Sequence, residues 1–389
     1  RNLKIFGDRQ MNVSKRTLNT FRIERGKDKK SEKSQVSDIL RWSCLVFFLL
    51  MLAAFDNLRA QKDEGIGNVS GGTNVGTSAA AFLEIGIGAR AQAMGGAFVS
   101  LVQDATAMYW NPAGIGKVSG FEMTFTHINW LLDTNFDYAG IVLPIGGGVA
   151  SVGANVIVFG TGEQPVRVVG QEEGTGEFYS AQDLAAGVTF ALNFTDRFSF
   201  GLNAKYINQR IRNSSANGFA IDIGALYIIQ LEGLQMGFSI SNFGSDMRLS
   251  GRDLSNVLDP DIINDGVEKI LVNYETDSFT LPLLFRFGIS YKRPMLSKHA
   301  DLIVAVDLLH PNNDEESINV GAEYLLFKTF ALRAGYRSLL LSDRTSGLSL
   351  GAGLIVSPRR SEMKIVVDYA YVDWGVLNSV HNFSLGLKF

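Results

Sequence analysis

From residue 119 onward, apolar and polar positions alternate with period two. Leu184, Ala186, Val188, Phe190, Leu192 and Phe194 are apolar, while Asp183, Ala185, Gly187, Thr189, Ala191 and Asn193 between them are small or polar. Phe198, Phe200, Leu202, Ala204 and Tyr206 repeat the pattern against Ser199, Gly201, Asn203, Lys205 and Gln209. Successive side chains of a strand point to opposite faces, so this period predicts strands with one apolar face. Such segments fall at 120–130, 136–145, 148–160, 182–194, 198–209, 218–230, 234–243, 281–292, 301–309, 317–327, 330–337, 345–356, 363–371 and 380–389. Each is near the about 9–11 residues that a tilted strand needs to cross a bilayer.

A soluble sandwich would use the same alternation with its apolar face inward, so the pattern alone leaves two architectures open. The off-face carries Asp222, Arg286, Lys292, Asp301, Asp307, Glu323, Arg333, Arg337, Lys364 and Asp368, which suits a polar lumen. Tight turns such as Thr195-Asp196-Arg197 and Glu232-Gly233 alternate with longer connections, notably 161–181 and 244–280. That asymmetry is expected of a barrel with both termini in the periplasm. Trp130, Phe194, Phe198, Tyr227, Tyr291, Tyr336 and Phe389 sit near strand ends, as an interfacial girdle would. The run from Asn382 to Phe389 ends in an aromatic that resembles the signature by which barrel-assembly machinery recognises its clients. The expected fold is all-β: an antiparallel transmembrane β-barrel of about fourteen strands over 119–389, embedded in outer-membrane lipid.

The run Cys44–Phe55, CLVFFLLMLAAF, is shorter than the about 20 apolar residues of a membrane helix. With Arg41 before it and Ala60 after it, it reads as a signal-peptide core cleaved after Ala60. Residues 1–60 are expected to be an over-extended start plus a signal peptide, with Val36 as a start of more ordinary spacing. Residues 61–76, rich in Gly, Asn and Ser, are expected to be a flexible mature N-terminus. The net charge of −3 gives no basic balance of the nucleic-acid-binding kind. Removal of Cys44 leaves no thiol, and His127, His299, His310 and His381 are scattered. No catalytic constellation, metal site or cofactor is expected.

Residues 77–118 break the alternation. Asp104 is placed to cap a helix running to Trp110, Pro112 to stop it, and Gly95-Gly96 to turn the chain. A segment of this length and polarity, ahead of the first strand, is expected to plug the lumen with a small helical fold. The pattern Gly86-Ile-Gly88-Ala-Arg-Ala91 superficially matches a dinucleotide-binding loop, but no βαβ unit surrounds it.

The stretch Gly88-Ala-Arg-Ala-Gln-Ala-Met-Gly-Gly-Ala-Phe98, followed by Asp104-Ala-Thr-Ala-Met-Tyr-Trp-Asn-Pro-Ala-Gly114, resembles the plug signature of the PorV/PorQ family, within the wider superfamily of FadL-like outer-membrane proteins. The segments 281–291, Leu332–Arg337 and Asp368–Phe389 are also similar to that family. On this resemblance the plug motif is Gly88, Arg90, Gly95, Gly96, Asp104, Asn111, Pro112 and Ala113. The resemblance implies an outer-membrane protein of a Gram-negative, Bacteroidota-like cell. It implies a role in type IX secretion, with secretion components and secreted cargo bearing a C-terminal signal domain as partners. The alternative it carries is passive transport of a hydrophobic ligand across the outer membrane. A porin-like barrel without specific cargo is the third reading.

Two sets of residues are singled out for these roles. Arg90 needs an acid under a low-dielectric lid, and Asp104, Asp222 and Glu323 are candidates. Asp222, Arg286, Glu323, Arg333 and Asp368 are the expected lumen charges, of which Arg286, Arg333 and Asp368 are expected to form a ladder between plug and wall, with a substrate path as the alternative. Val257, Leu258, Ile262, Ile263, Val267, Ile270 and Leu271 make the 249–280 loop too apolar for an idle connection, and it is the candidate partner-binding loop. A closed wall beneath an exposed apolar loop would favour the secretion role. A wall opening near Gly146-Gly147-Gly148, joined to an apolar pocket, would favour transport.

Overall fold

The computed structural model describes residues 76–258, 270–294, 300–339, 341, 347–358 and 363–389. The signal-peptide and N-terminal expectations for 1–75 lie outside these residues. The long strands are β1 (Glu122–Asn129), β2 (Thr134–Ile145), β3 (Ala150–Thr161), β4 (Ala181–Asn193), β5 (Phe198–Ile211), β6 (Ser214–Ile228) and β7 (Leu234–Gly244), followed by β8 (Leu284–Pro294), β9 (Ala300–Pro311), β10 (Ser317–Leu326), β11 (Phe330–Tyr336), β12 (Leu348–Val356), β13 (Lys364–Asp373) and β14 (Ser379–Lys388). Each falls on one of the fourteen alternating segments. Every strand pairs antiparallel with its sequence neighbour, and β1 pairs with β14 from Glu122↔Lys388 to Asn129↔His381. The sheet therefore closes on itself and leaves no open edge.

The faces are those of a membrane barrel. In β4, Val188 and Phe190 are 66% and 48% exposed, while Thr189 between them is fully buried. The apolar set faces outward around the barrel, as Phe219, Ile221, Val304, Val306, Leu332, Leu350 and Leu385 show. A soluble sheet would bury that set, so the inverted alternation decides between the two architectures. No helix among the described residues is long and apolar enough to cross a membrane.

Between β6 and β7 the register shifts, so that Ile221 pairs with Phe243 but Ile223 with Ile240. Asp222 sits at this bulge, and its carboxylate accepts the backbone N–H of Asn242 at 2.7 Å, a residue with φ of +65°. The side chain thus pairs a donor that the interrupted ladder leaves over.

The connections on the side of the barrel opposite the termini include the long ones, 162–180, 245–283 and 337–347. The expected asymmetry is confined to these, because β5 and β6 are joined on that side by residues 212–213 alone. Gly146–Gly148 forms the β2–β3 turn, above which β2 and β3 pair without a gap from Ile145↔Ala150 to Thr134↔Thr161. β3 and β4 are likewise paired from Ala150↔Leu192 to Gly160↔Gln182. The wall has no opening at this place.

Candidate functional site

Residues 77–118 touch inner-face residues of strands that are far apart around the barrel, so the segment lies inside the closed sheet. It holds two short helices, α1 (Ala89–Ala93) and α2 (Ala107–Trp110), with 3-10 turns at Ala81–Glu84 and Pro112–Lys117. Ile87, Phe98, Met108, Trp110 and Ile115 are buried in one cluster with Ile128, Phe136, Tyr138, Val142 and Ile207 of the wall. Part of the inner face that meets the segment is therefore apolar. Gly95 and Gly96 make the turn after α1 with φ of +66° and +78°, where only glycine is unstrained. A Cβ on Gly95 would lie 2.6 Å from the backbone N of Tyr336, so close approach to β11 also demands glycine here.

Arg90 meets Glu323. Its Nε donates to Oε2 and its Nη2 to Oε1, both at 2.8 Å, a bidentate pair. Glu323 also accepts from Arg333 Nε at 2.6 Å, and Arg333 Nη1 donates to Asp368 Oδ1 at 2.7 Å. Register explains the reach. Glu323 and Arg333 are opposite each other in β10 and β11, and Asp368 is opposite Gly353 of β12. A Cβ on Gly353 would come within 2.2 Å of the Asp368 carboxylate and 2.7 Å of Arg333, so glycine lets the guanidinium cross a strand. Burial disfavours the charge on Arg90, but the charge of Glu323 outweighs it and keeps the guanidinium protonated.

The ladder does not include Arg286, and Asp222 is not the acid that meets Arg90. Asp222 pairs with Lys205 at 2.8 Å and accepts Asn203 Nδ2 at 2.8 Å, far from Arg90 in the network. Arg286 stacks on Tyr109 and Trp110 and donates to Ser241 Oγ at 3.0 Å. Asp104 does not pair with Arg90, and it does not cap α2. It accepts the backbone N–H of Thr106 at 2.9 Å, which makes a turn before a helix of only four residues. The two-residue geometry wins because the short acid reaches its own backbone first.

Asn111 ties the segment to the wall. Its Nδ2 donates to Val99 O at 2.9 Å and Ala225 O at 3.0 Å, and its Oδ1 accepts from Ala113 N at 3.2 Å. It is extended, as a residue before proline prefers, and Pro112 opens the next 3-10 turn. Three further anchors were missed from the sequence. Asp307 accepts the backbone N–H groups of Phe98 and Val99 at 2.7 and 2.9 Å. Tyr138 donates to Ala105 O at 2.6 Å, and Ser384 Oγ accepts the N–H of Ala89 at 2.8 Å. Asp307 stood among the inward acids, but nothing in its neighbours signals a backbone partner about two hundred positions away. Trp130 is not part of a lipid-facing girdle. It packs on Trp374, ring centres 5.0 Å apart, and against the interior cluster.

The 245–283 connection carries two short hairpins, Met247–Arg248 with Ser278–Phe279 and Ser255–Leu258 with Ile270–Asn273. Ser250–Gly251 extends the barrel sheet along the end of β6. Asp253 clamps the β5–β6 turn by accepting from Asn213 N and Nδ2 at 2.9 and 3.0 Å, which holds its carboxyl below the usual range. Val257, Leu258, Ile270 and Leu271 are 55%, 51%, 48% and 72% exposed on the second hairpin. Ile262, Ile263 and Val267 lie outside the described residues. Among the described residues no group of three or more His, Cys, Asp or Glu is arranged to hold a metal.

The fold is similar to that of the P. putida toluene transporter TodX, with a TM-score of 0.51 at 11% identity over 78% of this chain and 99% of that one. The Ralstonia pickettii toluene transporter TbuX gives a TM-score of 0.49 at 13% identity, covering 78% and 97%. No curated protein matches. The family model described as "Type IX secretion system protein PorV" matches residues 69–277, more than half of the chain. A closed barrel of this kind, apolar on its outside, places the protein in an outer membrane. With that match over more than half of its length, the chain belongs to the PorV family of type IX secretion system proteins.

Proposed function

We propose that this protein holds secreted cargo carrying a C-terminal signal domain during type IX secretion, and that the 245–283 connection makes the contact. The observation that carries this reading is the exposed hairpin of Val257, Leu258, Ile270 and Leu271 over a wall that is paired all the way round. Val257 pairs with Leu271 on one face of this two-stranded piece and Leu258 with Ile270 on the other, and large apolar pairs exposed on both faces are costly in water and typical of a contact surface. The plug motif residues then serve to keep the barrel shut while the loop works outside. The alternative is passive transport of a hydrophobic small molecule, for which the likeness to TodX supplies a fold and nothing more specific. It would need an apolar path past a segment that Arg90, Asn111 and Asp307 bind on several sides.

The test is gentle purification of tagged protein from native outer membranes, with mass spectrometry of bound proteins and lipids. Wild type is expected to retain secretion components and cargo, and a Val257→Ser, Leu258→Ser, Leu271→Ser variant to lose the cargo while keeping the heat-modifiable mobility of a folded barrel. Undiminished cargo on the variant would refute the loop as the contact. A stoichiometric apolar ligand without protein partners would move the function to transport.

A further inference from the structure

The two-stranded piece of Ser255–Leu258 and Ile270–Asn273 pairs with no other strand among the described residues, so each of its members has an outer edge. In an antiparallel pair, residues whose backbone groups bond across the ladder alternate with residues whose groups point away from it. Tyr274 N–H donates to Leu254 O at 2.8 Å, which fixes the phase. Asn256 with Val272 and Leu258 with Ile270 are then the bonded positions, and the N–H groups of Ser255, Val257, Leu271 and Asn273 point outward.

The two edges are not alike. On the first strand both outward donors are met from within: Ser255 N–H donates to Arg252 O, and Val257 N–H to Asn256 Oδ1 at 2.8 Å. On the second, the N–H groups of Leu271 and Asn273 have no acceptor among the described residues. Both residues are exposed, Leu271 to 72%. Side chains brace the pair, Ser255 Oγ to Asn273 Oδ1 at 2.6 Å and Asn256 Nδ2 to Tyr274 Oη at 3.1 Å. An outer edge with unmet donors is a template for a further strand, and proteins blunt an edge they do not use, as the first strand is blunted here. The apolar pairs Val257 with Leu271 and Leu258 with Ile270 lie on opposite faces, so an added strand finds apolar neighbours on both.

We propose that the Ile270–Asn273 edge takes up an extended segment of the secreted cargo as a third strand, bonded through the outward backbone groups of Leu271 and Asn273. This rests on the reading that the 245–283 connection contacts cargo, and it names the mode of contact. The occupant is an extended segment because the unmet groups are backbone donors two residues apart on one edge. A helix has its own backbone bonds made and offers them no acceptor. The probe is a recombinant C-terminal signal domain of a protein secreted by the same cell, titrated onto the full protein in a non-ionic detergent.

Hydrogen exchange resolved to single amides is expected to slow by about tenfold or more at Leu271 and Asn273 on binding, and to stay unchanged at Ser255 and Val257. Proline removes a donor and, at an outward position, leaves the inner ladder intact. Asn273→Pro is therefore expected to bind the domain about tenfold more weakly than Asn273→Ala, and Leu271→Pro more weakly than Leu271→Ala. Val257→Pro, on the blunted edge, should bind as Val257→Ala does. Unchanged exchange at Leu271 and Asn273 in the bound wild type overturns the added strand, and this measurement needs no variant to fold. Proline variants that bind as their alanine counterparts do, while the triple serine variant fails to bind, overturn the added strand and keep the contact. A wild type that does not bind the domain, or a triple serine variant that binds it undiminished, overturns both.

Discussion

At the residue scale, Glu323 holds the interior together most directly, since it answers two guanidiniums on two different elements. Removing one partner of a buried pair leaves the other charge without compensation, at a cost of about 3–5 kcal/mol. Glu323→Gln strands both Arg90 and Arg333. Urea unfolding in lipid vesicles is expected to show a loss of that order, about 3 kcal/mol or more. Arg90→Met, which removes the half-exposed partner, should cost less. Equal losses for the two variants would mean that the pair does not share its charge as the geometry implies. That Arg90 wants an acid was legible in the sequence. Which of three acids it meets was not, because the choice rests on which inner-face position of the closed sheet lies beside the segment.

At the scale of elements, the strands were legible because period two is written in every one of them, and their exposed face cannot be soluble. The helical pieces were less so. α2 is four residues long and held by tertiary contacts such as Trp110 Nε1 to Ile87 O at 2.9 Å, so local propensity says little about it. The 245–283 connection is fastened to the rest of the protein through Asp253. Its folded carboxyl is depressed from 3.8, so the clamp contributes fully above that value and is lost as pH falls below it and through the folded value. Pepsin cleavage within 245–283 is therefore expected to rise for wild type between pH 4.5 and 2.5, relative to the remainder of the barrel. Asp253→Asn should show no such step. A step of equal size in the variant would assign the effect to another group.

At the scale of the whole molecule, closure is the central fact. β1 and β14 are more than 240 positions apart in sequence yet share eight paired positions, and the Oγ atoms of Thr126 and Ser384 are 2.8 Å apart across the seam. Thr126→Cys with Ser384→Cys is expected to form a disulfide on mild oxidation of the folded barrel. The denatured chain would then migrate as a closed loop. Failure to form the bond in folded protein would argue against this seam register.

The sequence by itself determined fourteen strands, each with one apolar face, and a non-strand segment of 77–118 that needed a place; the closed sheet decided that the apolar face turns outward. Those features are local or periodic, and each segment carries its own signal. Only the tertiary structure decided the contacts inside. Asp222 went to Lys205 and the bulge, Arg286 to the rings of Tyr109 and Trp110, and Asp307 to two backbone amides, because a lumen brings side chains from opposite walls within reach and the nearest partner of fitting geometry prevails. Charge type can be read along a chain; which charges face each other across a closed sheet depends on register, on tilt and on where glycines leave space.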